Sequence, residues 1–93
     1  MRSFLEVDDL TVKELNRVID LCTDANPPKV LEGEGVALVF QKPSNRTRNS
    51  MEMATHQLGG HPVYIRGEEL GFDKRESVED VISTLSGYYK CVA

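Results

Sequence analysis

Apolar positions recur along this chain at two different spacings, and the two alternate. Leu15, Val18, Ile19 and Cys22 follow one another at i, i+3, i+4 and i+7, the stripe of an amphipathic helix. Just ahead of them, Thr11-Val12-Lys13-Glu14 has the form of a capping box, in which hydroxyl and carboxylate satisfy N–H groups that the first helical turn leaves open. Asn26-Pro27-Pro28 ends this helix, because proline cannot continue it and restricts the residue before it. After a turn at Glu32-Gly33-Glu34-Gly35, the run Val36-Ala37-Leu38-Val39-Phe40 is apolar throughout, which predicts a strand buried on both faces. Met51, Ala54, Thr55 and Leu58 return to helical spacing and predict a helix that starts around Thr47 and stops at Gly59-Gly60. Pro62-Val63-Tyr64-Ile65 reads as a short strand and Arg66 to Glu76 as a polar loop. Ser77-Val78-Glu79-Asp80 resembles a second capped start, and Val81, Ile82 and Leu85 carry that helix toward Gly87. Cys91-Val92-Ala93 begins a third strand.

Helix, strand, helix, strand, helix, strand in that order predicts an α/β fold, a parallel sheet with flanking helices joined by right-handed crossovers. At 93 residues the chain is one domain at most, with a thin core. Its end, three residues into an apolar strand, leads us to expect residues 1–93 to be the first part of a domain that continues. With 40% hydrophobic and 28% charged residues, a disordered tail is excluded. No apolar run approaches the length of a bilayer span, so no membrane partner is expected. Met1 to Leu10 carries one Arg and three acids, unlike a secretory or transit peptide, so a cytoplasmic location is expected. Cys22 and Cys91 are too few for a disulfide framework and lack metal-ligand spacing; both are expected to be buried free thiols.

Charge changes the picture locally. The net charge of -4 excludes a general nucleic-acid binder, which needs a basic face. Yet between Gly35 and Met51 there is no acid, while Lys42, Arg46 and Arg48 all fall there. The segment Gln41-Lys42-Pro43-Ser44-Asn45-Arg46-Thr47-Arg48 lies past the carboxyl end of a buried strand and at the entrance to a helix, where open α/β sheets bind ligands. A helix N-terminus offers unpaired N–H donors and the positive end of the macrodipole. Ser44 and Thr47 add hydroxyls, and Arg46 and Arg48 add forked donors suited to phosphate oxygens. Gly33-Glu34-Gly35 lacks the third glycine of a dinucleotide fingerprint, and no glycine precedes Lys42 in a Walker pattern. The plainer reading of the same residues is that Ser44 or Asn45 caps a helix and both arginines are solvated. His56 and His61 have no partner at metal-ligand spacing and read as structural, Tyr88 and Tyr89 as packing residues. Glu76, Glu79 and Asp80 are explained by their favourable place at a helix N-terminus.

The stretch Lys42 to Arg48 resembles the Ser-Thr-Arg-Thr-Arg phosphate motif of the aspartate and ornithine carbamoyltransferases. The likeness runs on through Ser50-Met51-Glu52, His56-Gln57-Leu58-Gly59-Gly60-His61 and Arg75-Glu76-Ser77-Val78-Glu79-Asp80, in the order and spacing of that family's carbamoyl-phosphate domain. The Gln57-to-His61 run is similar to the ornithine branch. The resemblance implies a cradle for carbamoyl phosphate built from Ser44, Asn45, Arg46, Thr47 and Arg48, with Arg46 the catalytic residue that stabilises charge on the reacting group. For Arg48 two roles are open, ligand contact or pairing with Glu52 four residues on. It implies further that L-ornithine accepts the carbamoyl group, that citrulline and phosphate are the products, and that neither metal nor organic cofactor is used. The family's active form is a homotrimer with sites between subunits.

Two departures matter. Asn45 stands where the family has Thr, and its amide is expected still to cap the helix. In the loop that reaches a neighbouring subunit's site, Gly71 and Arg75 stand where Gln and Lys are usual, which makes Lys74 and Arg75 candidates for a contact across the trimer. A solvated loop explains them equally. The family's His-Pro-x-Gln, Asp-loop and His-Cys-Leu-Pro segments are absent from this sequence, so the 93-residue chain is expected to hold a phosphate half-site, no ornithine half, and no activity alone. Two other functions stay open: a carbamoyltransferase for aspartate, putrescine or an acetylated ornithine, and a non-catalytic anion-binding module.

Overall fold

The computed structural model describes residues 2–71 and 77–93. A parallel three-stranded sheet forms its centre, in the order β2-β1-β3, with β1 spanning Gly35–Phe40, β2 His61–Arg66 and β3 Cys91–Val92. Four helices join and flank it: α1 (Val12–Cys22), α2 (Asn45–Gln57), α3 (Gly67–Leu70) and α4 (Val78–Ser86). A 3-10 turn, Val7–Asp9, precedes them. This is the expected α/β architecture.

Its core sits on β1. Val36, Ala37 and Leu38 are buried, and Ile65 of β2 and Val81 of α4 close over them. The register pairs Gly35 with His61 and Phe40 with Arg66 on one edge, and Val36 with Cys91 on the other. Ala93 extends the second edge, since its N–H donates to the Ala37 carbonyl and its carbonyl accepts from the Val39 N–H. With partners on both edges, β1 is buried on both faces at Val36, Ala37 and Leu38, which accounts for that part of its apolar run; Val39 and Phe40, expected to be buried, are half-buried at the strand end.

The helix ends follow from local chemistry. The Thr11 hydroxyl accepts from the Glu14 N–H at 3.1 Å and the Glu14 carboxylate from the Thr11 N–H at 2.9 Å, the reciprocal box expected. At the other end of α2, the Gly59 N–H donates to His56 and the Gly60 N–H to Thr55, with Gly59 at φ +86°. That pair of bonds is a Schellman motif, and it needs a left-handed residue where glycine stands. Gly60 then passes so close to Leu31 and Thr55 that a Cβ there would lie 3.0 Å from the Leu31 Cβ.

Several expectations need correction. The segment after β2 is not simply a loop, because Gly67–Leu70 forms the helical turn α3 before Gly71 enters the left-handed region at φ 65°. α2 begins at Asn45, two residues before the expected Thr47. Both cysteines are exposed. Cys91 lies on an edge strand, and Cys22 shares the stripe of α1 on which Val18 and Ile19 are also exposed, because no described element covers that face. The projecting α1 fits the 14.5 Å radius of gyration, against about 12 Å for a compact chain of this length. Tyr89 packs beside Gly35, as expected of it, but Tyr88 is 78% exposed and meets the Tyr89 ring at an angle, with centroids 6.5 Å apart. Among the described residues no helix is long and apolar enough to cross a membrane.

Two outcomes test this arrangement. Leu38→Ala, at the one large side chain fully withdrawn from solvent among the described residues, should cost about 2–5 kcal/mol of stability, read from denaturant unfolding. The second concerns the N-terminal segment, which Arg2 ties to Glu14 at 2.6 Å. That guanidinium and the Thr11 N–H push the Glu14 carboxyl down from 4.5 to about 2. A depressed carboxylate contributes above its unfolded value, so the tether is complete above about pH 4.5 and is lost as pH falls toward 2. Side-chain NMR titration of Glu14 should show this low midpoint, and Arg2→Ala should raise it.

Candidate anion-binding site

Strand β1 ends at Phe40, and four residues later the chain enters α2. Because the strand order reverses about β1, the start of α2 lies at the carboxyl edge of the sheet beside its switch point. Ser44 is the N-cap, with φ -148° and ψ 94°. Its carbonyl accepts the first helical bond, from the Arg48 N–H at 2.9 Å. Its hydroxyl does not cap the helix: it donates to the Thr47 hydroxyl at 3.0 Å. Asn45 does not cap either. It is the first helical residue, and its amide oxygen accepts from the Asn49 side chain at 2.8 Å. The expectation that Asn45 caps the helix is therefore corrected, and so is the plainer reading in which either side chain caps it.

The consequence is electrostatic. The N–H groups of Asn45, Arg46 and Thr47 have no hydrogen-bond partner among the described residues. These donors mark the positive end of a 13-residue helix. No acidic side chain occupies the first turn. Arg46 carries a guanidinium with no ion pair or hydrogen bond among the described residues, and Lys42 before it is likewise unpaired. Both are exposed, as is the whole stretch 41–50. Three aligned N–H donors, a free guanidinium and two hydroxyls within four residues can hold a small tetrahedral anion.

Arg48 is different. Its Nε donates to Glu52 at 2.9 Å, the i,i+4 pair that was one of its two expected roles. Its guanidinium carbon lies 3.8 Å from the centroid of the Tyr64 ring on β2. Tyr64 in turn meets Phe40 of β1 with ring centroids 5.5 Å apart. The sequence reading missed Tyr64. Strand register brings the two rings together: Tyr64 lies opposite Leu38, and Phe40, two residues along, faces the same side.

Beside the cradle, Phe40, Gln41, Pro43, Tyr64, Arg66, Gly67 and Glu68 line a cavity of about 220 Å³ at the ends of β1 and β2. Gly67 is required there: a Cβ would meet the Gln41 Cα at 3.1 Å. Arg66 on its rim is held by Glu69 at 3.0 Å and Glu68 at 3.1 Å, which push its pKa up. A larger cleft, about 730 Å³, lies at the opposite end of the sheet between the end of α1 and the Gly59-Gly60 turn. It is lined by His56 and Cys22, yet no group of His, Cys, Asp and Glu among the described residues could hold a metal. Both histidines are exposed. Lys74 and Arg75 lie outside the described residues.

Residues 2–93 match the model of the aspartate/ornithine carbamoyltransferase carbamoyl-phosphate-binding domain. An ornithine carbamoyltransferase of Bradyrhizobium diazoefficiens is 32% identical over 98% of this chain and 32% of its own length. Among solved structures, ornithine carbamoyltransferase from Thermus thermophilus superposes with a TM-score of 0.73 at 37% identity, covering 86% of this chain and 29% of that one. The catalytic subunit of M. jannaschii aspartate transcarbamoylase superposes with a TM-score of 0.75 at 32% identity, covering 99% of this chain and 33% of that one. The chain thus spans about a third of the length of the relatives it matches. It belongs to the aspartate/ornithine carbamoyltransferase family, and it matches that family in the domain that binds carbamoyl phosphate.

Proposed function

We propose that the protein transfers the carbamoyl group of carbamoyl phosphate to L-ornithine, giving citrulline and phosphate, as a step of arginine metabolism. The observation that carries this reading is the start of α2, where the N–H groups of Asn45, Arg46 and Thr47 stand unpaired beside the free Arg46 guanidinium. Carbamoyl phosphate binds with its phosphate on these N–H groups and on the Ser44 and Thr47 hydroxyls. The neutral δ-amine of ornithine attacks the carbonyl carbon, and the proton it loses passes to the departing phosphate. The bond from that carbon to the phosphate oxygen breaks, and phosphate departs into the cradle. Arg46 is the catalytic residue: its fixed charge meets the negative charge that grows on the carbamoyl and leaving oxygens, and no metal or organic cofactor is needed. Holding amine and carbonyl in one geometry supplies much of the remaining acceleration.

The ornithine half of the site belongs to residues outside this chain, so the 93-residue chain does not turn over alone. Residues 1–93 serve as the first part of the carbamoyl-phosphate domain. The active form is a cytoplasmic homotrimer in which Lys74 and Arg75 reach a neighbouring site. A second acceptor, aspartate, is favoured by one observation, the equally good superposition on an aspartate transcarbamoylase subunit.

The test is an assay of the protein expressed to its natural stop codon, with ornithine, aspartate and putrescine as parallel acceptors. Citrulline should form, and Arg46→Ala should lower kcat by about 100- to 1,000-fold while the fold is retained by circular dichroism. Product with another acceptor would keep the mechanism and move the substrate. A folded protein that gives no product with any acceptor would overturn the enzymatic reading.

A further inference from the structure

Arg48 stands in the first turn of α2 among the cradle residues, yet its guanidinium is committed to the protein. One face lies on the Tyr64 ring, with the carbon 3.8 Å from the centroid, and Nε is bonded to Glu52 at 2.9 Å. Tyr64 leans on Phe40 at the end of β1. These contacts run from β1 through β2 to the first turn of α2, and so tie the start of the helix to the two strands beneath it. A flat guanidinium can stack and donate from its edge at the same time, which an ammonium cannot. Arg46, two residues earlier, makes no such contacts among the described residues.

We propose that Tyr64 is a positioning residue for the phosphate cradle and acts through Arg48, whose stacked, Glu52-paired guanidinium is a strut that fixes the start of α2 over the sheet. The inference rests on reading the loop as a carbamoyl-phosphate site. The three unpaired N–H groups are rigidly part of the helix, so any tilt of its first turn moves all three donors together relative to the Phe40 end of β1. Electrostatic help of this kind depends on donors being in place before the anion arrives. The strut therefore acts on affinity for the phosphate-bearing substrate and leaves the acceptor alone.

The experiment uses the full-length protein and measures binding of carbamoyl phosphate and of inorganic phosphate by calorimetry, alongside both substrates' KM values and thermal stability. Tyr64→Leu and Arg48→Lys should each weaken both ligands by about three- to tenfold. The double variant should bind no worse than Arg48→Lys alone, because both changes remove one coupled contact. Tyr64→Phe, which restores the ring face, should recover most of the binding, and the acceptor's KM should hold throughout. Unchanged affinity in a folded Tyr64→Leu protein would overturn the proposal. So would a far larger loss in Arg48→Lys with additive effects in the double variant, which would mean that Arg48 touches the ligand itself. Where Tyr64→Leu does not fold, Glu52→Gln loosens the same guanidinium from its other side, and unchanged affinity there overturns the strut equally. An unsubstituted protein that binds neither ligand would instead sink the carbamoyl-phosphate reading, and the strut with it.

Discussion

Everything in this chain hangs on β1 being paired on both edges by parallel neighbours. A strand so placed bonds its N–H and C=O groups to neighbours on either side, and its middle is shielded on both faces. Val36, Ala37 and Leu38 meet that demand and form most of the small core. Parallel pairing also fixes direction. All three strands end at one edge of the sheet, so the chain leaving β1 must return by a helix whose N-terminus opens on that edge. The Schellman turn at Gly59-Gly60 completes the circuit by aiming the chain into β2. The place of the α2 N-terminus is thus set by backbone hydrogen bonding before any side chain of its first turn is considered.

The site itself works against the charge of the chain as a whole. An acidic protein repels phosphate at long range, and the remedy here is local. Acids are missing from residues 36–50, the first turn of α2 carries none, and three N–H donors are left unpaired by side chains that bond to one another instead. A helix terminus alone is worth about 0.3–1 kcal/mol to an anion, too little for useful affinity. In the proposed cradle the free Arg46 guanidinium would supply the larger part, since charge-assisted hydrogen bonds are roughly twice as strong as neutral ones. Arg48 does different work. Its charge is largely answered by Glu52, and its flat face is used for packing on Tyr64.

Local rules made much of this legible in the sequence. The capping box at Thr11 and Glu14, the strand at 36–40 and the glycine stop of α2 each depend on residues close in sequence, and the structure has all three, with Val39 and Phe40 only half-buried. A helix start soon after the end of β1 was legible too, because it needs only residues near one another in sequence. What failed were readings that depended on partners distant in sequence. The stripe on α1 spelled a helix correctly but not its burial, so Cys22 and Ile19 stand exposed where spacing alone suggested a covered face. The start of α2 lies two residues before the expected Thr47, because the apolar spacing from Met51 to Leu58 marks the middle of the helix and leaves its polar first turn unmarked. Tyr64 was overlooked because stacking across a strand and a helix leaves no periodic trace.

The division of the chemistry explains why one domain model fits relatives with different acceptors. Ornithine and aspartate enzymes share one reactant, carbamoyl phosphate, and differ in the amine that attacks it. A unit that recognises a phosphate through backbone N–H groups and an arginine has no reason to change when the acceptor does. Its constraints are the strand that places the helix, the unpaired first turn and the charge at Arg46, and none of these reads the acceptor's side chain. The superposition of this chain on ornithine and aspartate enzymes to nearly the same extent is therefore what the chemistry leads one to expect. On the function proposed above, selection of the acceptor would fall to groups outside the cradle, whose own part would be to hold the phosphate end of the shared reactant.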